Sequence, residues 1–139
     1  MTASAAFPAP TPRGEERIWF EAAREHRLVH QRCDDCGARI FYLRTVCPSC
    51  WSERLSVAES SGRGVVHTFT THHRPGHPAF ADRVPYTVVL VDLEEGPRML
   101  ADLVDCAPDD VHVGLPVSVV FDAVTDELTL PRFRPEPAR

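Results

Sequence analysis

Cys33, Cys36, Cys47 and Cys50 are the residues of this chain best suited to chemistry. They form two C-x2-C pairs, Cys33-Asp-Asp-Cys36-Gly37 and Cys47-Pro48-Ser49-Cys50, with ten residues between the pairs. Each pair can close a tight knuckle that aims both sulfurs at one ion. Gly37 supplies a permissive backbone after the first knuckle, and Pro48 stiffens the second. Four thiolates on two knuckles make the tetrahedral sulfur site that structural zinc prefers. Iron held as in rubredoxins is the rival, because a CPxC knuckle occurs there too. Four protein sulfurs leave no open position, and no fifth His or carboxylate stands at ligand spacing. The expected metal is therefore structural, not catalytic. It would hold a segment whose few large apolar residues (Ile40, Phe41, Tyr42, Val46, Trp51, Leu55) cannot fold by burial alone.

The remaining reactive side chains are less organised. His67, His72, His73 and His77 fall within eleven residues, but adjacent His72 and His73 point to opposite faces of a strand and cannot easily share an ion. They read as polar surface or as contacts to a ligand. Cys106 stands alone between Asp105 and Ala107, which suits an inert thiol. The chain has no G-x-S-x-G, P-loop, G-x-G-x-x-G or H-E-x-x-H, so an independent enzyme is the weaker expectation.

The elements that must position these residues follow from composition and pattern. A length of 139 residues suits one compact unit, or two small ones sharing a core, and is too short for a (β/α)8 enzyme. The basic residues are all Arg, and a net charge of −5 disfavours a phosphate-tracking module. No apolar run reaches membrane-spanning length, and the N-terminus lacks a secretory pattern, so the expected location is cytoplasmic. The Pro-rich start predicts a flexible tail over 1–13, followed by a helix within 14–27. Trp19, Ala22, Ala23 and His26 form one face of that helix, and Trp19 and Phe20 must dock on this chain or on a partner. The cysteine segment spans 28–58. From 59 to 131 the pattern turns to strands: Gly64–His73, Tyr86–Leu93 (apolar on both parities, as if covered twice), Arg98–Val104, Val117–Val124 and Leu128–Leu130. A helical turn is expected near Pro108–Val111. The expected fold is mainly β: an N-terminal helix, a rubredoxin-like zinc ribbon, then a five-stranded barrel of the OB type, with a C-terminal tail over 132–139.

From Glu15 to Arg134 the succession resembles a known family. It runs from Trp19-Phe20-Glu21-Ala22-Ala23-Arg24-Glu25 through the two knuckles and Ser61-Gly62-Arg63-Gly64-Val65-Val66. It continues with His73-Arg74-Pro75-Gly76-His77-Pro78-Ala79-Phe80, Pro85-Tyr86, Glu95-Gly96-Pro97-Arg98, Val113-Gly114-Leu115-Pro116-Val117 and Thr129-Leu130-Pro131-Arg132-Phe133. The order is similar to that of the zinc-ribbon plus OB-fold proteins first described as a domain of unknown function and associated with acyl-CoA metabolism.

The resemblance implies a non-catalytic accessory subunit that binds acyl-CoA. Its partner, a thiolase, sterol-carrier-type thiolase or aldolase, or else a MaoC-type hydratase, performs the chemistry. Some members serve steroid side-chain degradation. Coenzyme A offers phosphates to guanidinium forks and an adenine for stacking. The candidate contacts are Arg63, Arg74, Arg83, Arg98 and Arg132, with His72, His77 and Phe80 on the loop. Trp19, Phe20 and the loop Arg74–Phe80 are the candidate partner face, and no general acid or base is assigned. The rival of another class is a single-stranded nucleic-acid module, which needs exposed aromatics on a basic barrel face. Here the strand aromatics are few: Phe69, Tyr86 and Phe121.

Overall fold

The computed structural model describes residues 6–137. Of the expected N-terminal tail, residues 1–5 lie outside the described residues, and 6–13 form no helix or strand. Helix α1 (Glu16–Arg24) buries Ala22 and Ala23 and packs against the later strands Val29–Cys33, Pro116–Ala123 and Thr129–Pro135. It is shorter than the expected 14–27 because His26 takes a left-handed backbone, φ 58°, and turns the chain. The His26 ring then lies flat on Phe121, 5.1 Å away.

The ribbon is a small antiparallel sheet in the order β2-β1-β3, built from β1 (Val29–Cys33), β2 (Arg39–Ile40) and β3 (Leu55–Glu59). The barrel follows: β4 (Arg63–His72), β5 (Tyr86–Leu93), β6 (Arg98–Leu103), β7 (Pro116–Ala123) and β8 (Thr129–Pro135), closed in the order β4-β5-β6-β8-β7. The fold is thus the expected one: helix, ribbon, and a five-stranded OB-type barrel. β6 and β8 run parallel, and every other pair is antiparallel. A 3-10 turn at Pro108–Asp110 stands where a helical turn was expected.

The barrel core is Val66, Val89, Val91, Leu93, Met99, Leu103, Val111, Val117 and Phe133, joined by Leu28 from just before the ribbon. Trp19 and Phe41 pack against the same cluster. Closure of the barrel depends on a backbone with no side chain at Gly64. A Cβ there would run into the Asp92 carbonyl and Val91, so β4 could not approach β5 as it does.

Two expectations are corrected. β5 is not covered on both faces: Thr87, Val89, Val91 and Leu93 are buried, while Tyr86, Val88, Leu90 and Asp92 are half-exposed. Its outer apolar residues Val88 and Leu90 are thus only partly covered. The tail expected from 132 is instead the end of β8, with Arg132 and Phe133 buried. Pro131 does not stop the strand because it shares the parity of Phe133, whose carbonyl faces β6 and accepts from Val104 N–H at 2.7 Å. The N–H that Pro131 lacks would point to that same side, where β8 pairs with β6 only at Leu103–Phe133.

Candidate functional site

The four cysteines converge as their spacing predicts. Their sulfurs all lie within 4.8 Å of one another, and they are the one group among the described residues with metal-holding geometry. Cys33 Sγ lies 3.6 Å from Cys50 Sγ, and Cys36 Sγ lies 3.7 Å from Cys47 Sγ. A zinc tetrahedron with bonds of ~2.3 Å has edges of ~3.8 Å, so the donor set fits the ion. Cys33 and Cys47 are buried at the base, and Cys36 and Cys50 are exposed.

Each knuckle is closed by its own backbone. Cys33 N–H donates to Ala38 O at 2.9 Å and Gly37 N–H to Cys33 O at 2.9 Å; Cys47 N–H donates to Ser52 O at 2.8 Å and Trp51 N–H to Cys47 O at 3.0 Å. Side chains then tie the knuckles together. Asp35 accepts from Ser52 Oγ and from Arg54, and Ser56 Oγ donates to Asp34 at 2.8 Å. Arg54, helped by Ser52, holds the Asp35 carboxyl down at about 2.

The thiols differ in their readiness to ionise. Donation from the Cys36 amide holds Cys33 low. Burial opposes the charge on Cys47, yet the amides of Cys50 and Ser49 together with the Cys36 and Cys33 thiols outweigh it and bring Cys47 down to about 7. Cys36 is raised by burial and by the neighbouring sulfurs of Cys33 and Cys47, which outweigh the Ala38 amide. Cys50 is pushed up to about 12, since burial and three adjacent sulfurs overcome the Ser52 amide. Four thiolates at these distances need a cation among them, and zinc supplies that charge. All four donors are protein sulfurs, so a bound zinc is a structural one.

The loop residues gather at one end of the barrel. His77 Nδ1 accepts from Ala79 N–H at 3.1 Å and caps a 3-10 helix, Pro78–Arg83, where an irregular loop was expected. That helix presents Phe80, edge-on to Tyr86 at 6.0 Å, with the Arg83 guanidinium 5.7 Å over its ring. His72 stacks flat on Tyr86 at 4.8 Å. Phe7, from the segment before α1, meets Phe80 edge-on at 6.0 Å.

The arginines divide into two groups. Arg63 pairs with Glu94 at 3.2 Å and Arg98 with Asp92 at 2.6 Å. Arg132, buried, is held by Asp102 and by Asp122 at 2.9 Å, joining β8 to β6 and β7. These three already have carboxylate partners. Arg74 and Arg83 form no ion pair among the described residues, and Arg83 lies against the aromatic cluster. His67 bonds Asp92 at 3.1 Å, away from the other histidines. Burial and the nearby Asp110 raise the Cys106 thiol, as suits an unreactive one.

Trp19 meets Phe20 edge-on at 4.9 Å and Phe41 at 5.9 Å, packs against this chain's own core and stays partly exposed on the same cavity as Phe20. Phe20 remains half-exposed on a cavity of about 360 Å³, lined also by Pro10, Glu16, Tyr42, Leu43 and Leu130. Of the strand aromatics, Tyr86 is covered by His72 and Phe121 by His26, while Phe69 is 37% exposed. Two features escape sequence reasoning. Trp51, one of the few large apolar residues of the ribbon segment, is 82% exposed. His30 is fully buried, its Nε2 taking a bond from Arg39 at 3.1 Å.

Comparison with known proteins places this architecture. Residues 20–56 match the model described as the ChsH2 rubredoxin-like zinc ribbon domain, and residues 57–122 match the ChsH2 C-terminal OB-fold domain. A probable enoyl-CoA hydratase alpha subunit of Thermomonospora curvata is 41% identical over 92% of the chain, which spans 40% of that subunit. A DUF35 domain-containing scaffold protein of Methanothermobacter thermautotrophicus is 35% identical over 80% of the chain and 84% of its own length. A chain of the solved Ltp2-ChsH2(DUF35) aldolase superposes with a TM-score of 0.83 at 41% identity, covering 91% of this chain and 98% of that one. With both domains matched in order and relatives of the same build, the chain belongs to the ChsH2/DUF35 family of zinc-ribbon plus OB-fold proteins.

Proposed function

We propose that this chain is a non-catalytic, zinc-stabilised subunit that docks on a thiolase- or aldolase-type enzyme and helps hold its acyl-CoA. The observation that carries the reading is the 41% identity to a chain of the Ltp2-ChsH2(DUF35) aldolase, covering 91% of this chain and 98% of that one. The absence of a catalytic motif in the sequence agrees with this role, and the sulfur-only metal set offers substrate no open coordination position.

Acyl-CoA binding draws support from the barrel end. Arg74 and Arg83 are the two candidate arginines without a carboxylate partner among the described residues; Arg83 stands over Phe80 and beside Tyr86, and Arg74 follows β4 two residues after His72. Guanidinium forks suit the phosphates, and the aromatic faces suit an adenine. A lipid or steroid side-chain thioester is the substrate class that the family resemblance puts first. A MaoC-type hydratase partner is the second reading, favoured by the Thermomonospora curvata hydratase subunit.

The test is to purify the chain alone and together with each candidate enzyme. Expected are no thioester turnover by the chain alone, a stable complex with the thiolase- or aldolase-type subunit, and binding of a CoA thioester that weakens in an Arg74→Ala/Arg83→Ala variant. Turnover by the isolated chain, or a complex with the hydratase only, would overturn the reading.

A further inference from the structure

Gly37 and Trp51 occupy equivalent places, each directly after the second cysteine of its knuckle. Each donates its N–H to the first cysteine's carbonyl, at 2.9 and 3.0 Å. Both have a left-handed backbone, φ 75° at Gly37 and φ 66° at Trp51. Glycine adopts that conformation freely, whereas a residue with a Cβ is strained in it. At Gly37 nothing lies within 4 Å of where a Cβ would stand, so space does not dictate glycine there. Yet the second knuckle carries the largest side chain of all in this conformation.

The fold gains nothing visible in return. Trp51 is 82% exposed, and its indole has no hydrogen-bond or aromatic partner among the described residues. An unburied indole on a strained backbone is a pattern of binding sites, because local strain persists where function requires it and Trp is enriched among the residues that dominate interfaces.

We infer that Trp51 is the anchor by which the ribbon tip inserts into an apolar pocket on the enzyme subunit; this rests on the scaffold reading above. The surroundings select the occupant. Ser49, Ser52 and Glu53 bring no cation, and Arg54 is neutralised by Asp35, so the tip offers nothing to clamp a phosphate surface. The occupant is the enzyme subunit of the scaffold reading, because the chain that superposes on 91% of this one belongs to the solved Ltp2-ChsH2(DUF35) aldolase. A second copy of this chain is an outcome of the test below.

The chain has two tryptophans, which makes the test clean. It is labelled with 5-fluorotryptophan, loaded with zinc and titrated with a purified Ltp2-type aldolase subunit, with ¹⁹F spectra and Kd recorded together. In the wild type the Trp51 resonance is expected to move on binding and to lose its solvent isotope shift. Trp51→Gly should keep its zinc and melt at a higher temperature, since the strain is relieved, while its Kd rises at least about thirtyfold, the scale of a truncated hot spot. Trp51→Phe should bind with intermediate affinity.

Binding of Trp51→Gly as tight as wild type would overturn the anchor and leave the scaffold reading standing. Failure of the wild type to bind at all would sink both. A Trp51 resonance that shifts with the chain's own concentration would put the pocket on a second copy and overturn the assignment.

Discussion

At the scale of single residues, the metal site joins what the sequence announces to what it hides. Cys33, Cys36, Cys47 and Cys50 are legible because their geometry is set by spacing of three residues within each knuckle. The cross-links around them are not, because Asp35 reaches Ser52 and Arg54 across the gap between knuckles. Those contacts hold the first knuckle against the second, so they should slow metal loss. Asp35→Asn is expected to keep zinc at equilibrium but release it to a chelator about tenfold faster, within the range seen for groups that support metal ligands. Stopped-flow chelation checks this, and an unchanged rate would leave Asp35 as plain surface. Trp51 is illegible for a different reason. Whether an indole in a cysteine-rich segment points inward depends on φ at one position, and neither hydropathy nor spacing encodes that.

At the scale of elements, β1 carries a second hidden feature. His30 has no exposed surface, its Nε2 takes a bond from Arg39, and its Nδ1 has no partner among the described residues. Burial first, then the Arg39 charge, lowers its pKa below 6.5, against a smaller opposing pull from Glu95. The unfolded chain therefore takes up this proton at a higher pH than the fold does, so the fold loses stability as pH falls below 6.5. Melting temperature should drop between about pH 7 and 5.5, and a His30→Gln variant should flatten that slope even if it starts lower. An identical slope in the variant would assign the effect elsewhere. The strands themselves were mostly readable from β-branched runs between Gly and Pro breakers. β8 was not, since Pro131 counts as a breaker unless one knows which edge of the strand has a neighbour.

At the scale of the whole molecule, β8 decides whether the barrel closes. Phe133 is completely buried and forms the one backbone ladder pair of β8 with β6 among the described residues, beside the Arg132–Asp102 ion pair. Phe133→Ala is expected to cost about 3–5 kcal/mol in urea denaturation, the usual toll of emptying a buried aromatic site. A loss below about 1 kcal/mol would mean that the barrel is held elsewhere. Leu28 has a wider consequence. It immediately precedes the ribbon's first strand, yet its side chain belongs to the barrel core. On the far side Ser60 and Ser61 are fastened to Glu95 at 2.8 and 2.7 Å. Both ends of the ribbon are thus bolted to the barrel, leaving it no hinge on which to swing. The separation between the knuckle tip and the aromatic end of the barrel is then a fixed ruler, and whatever grips one end is held at a set span from whatever rests on the other.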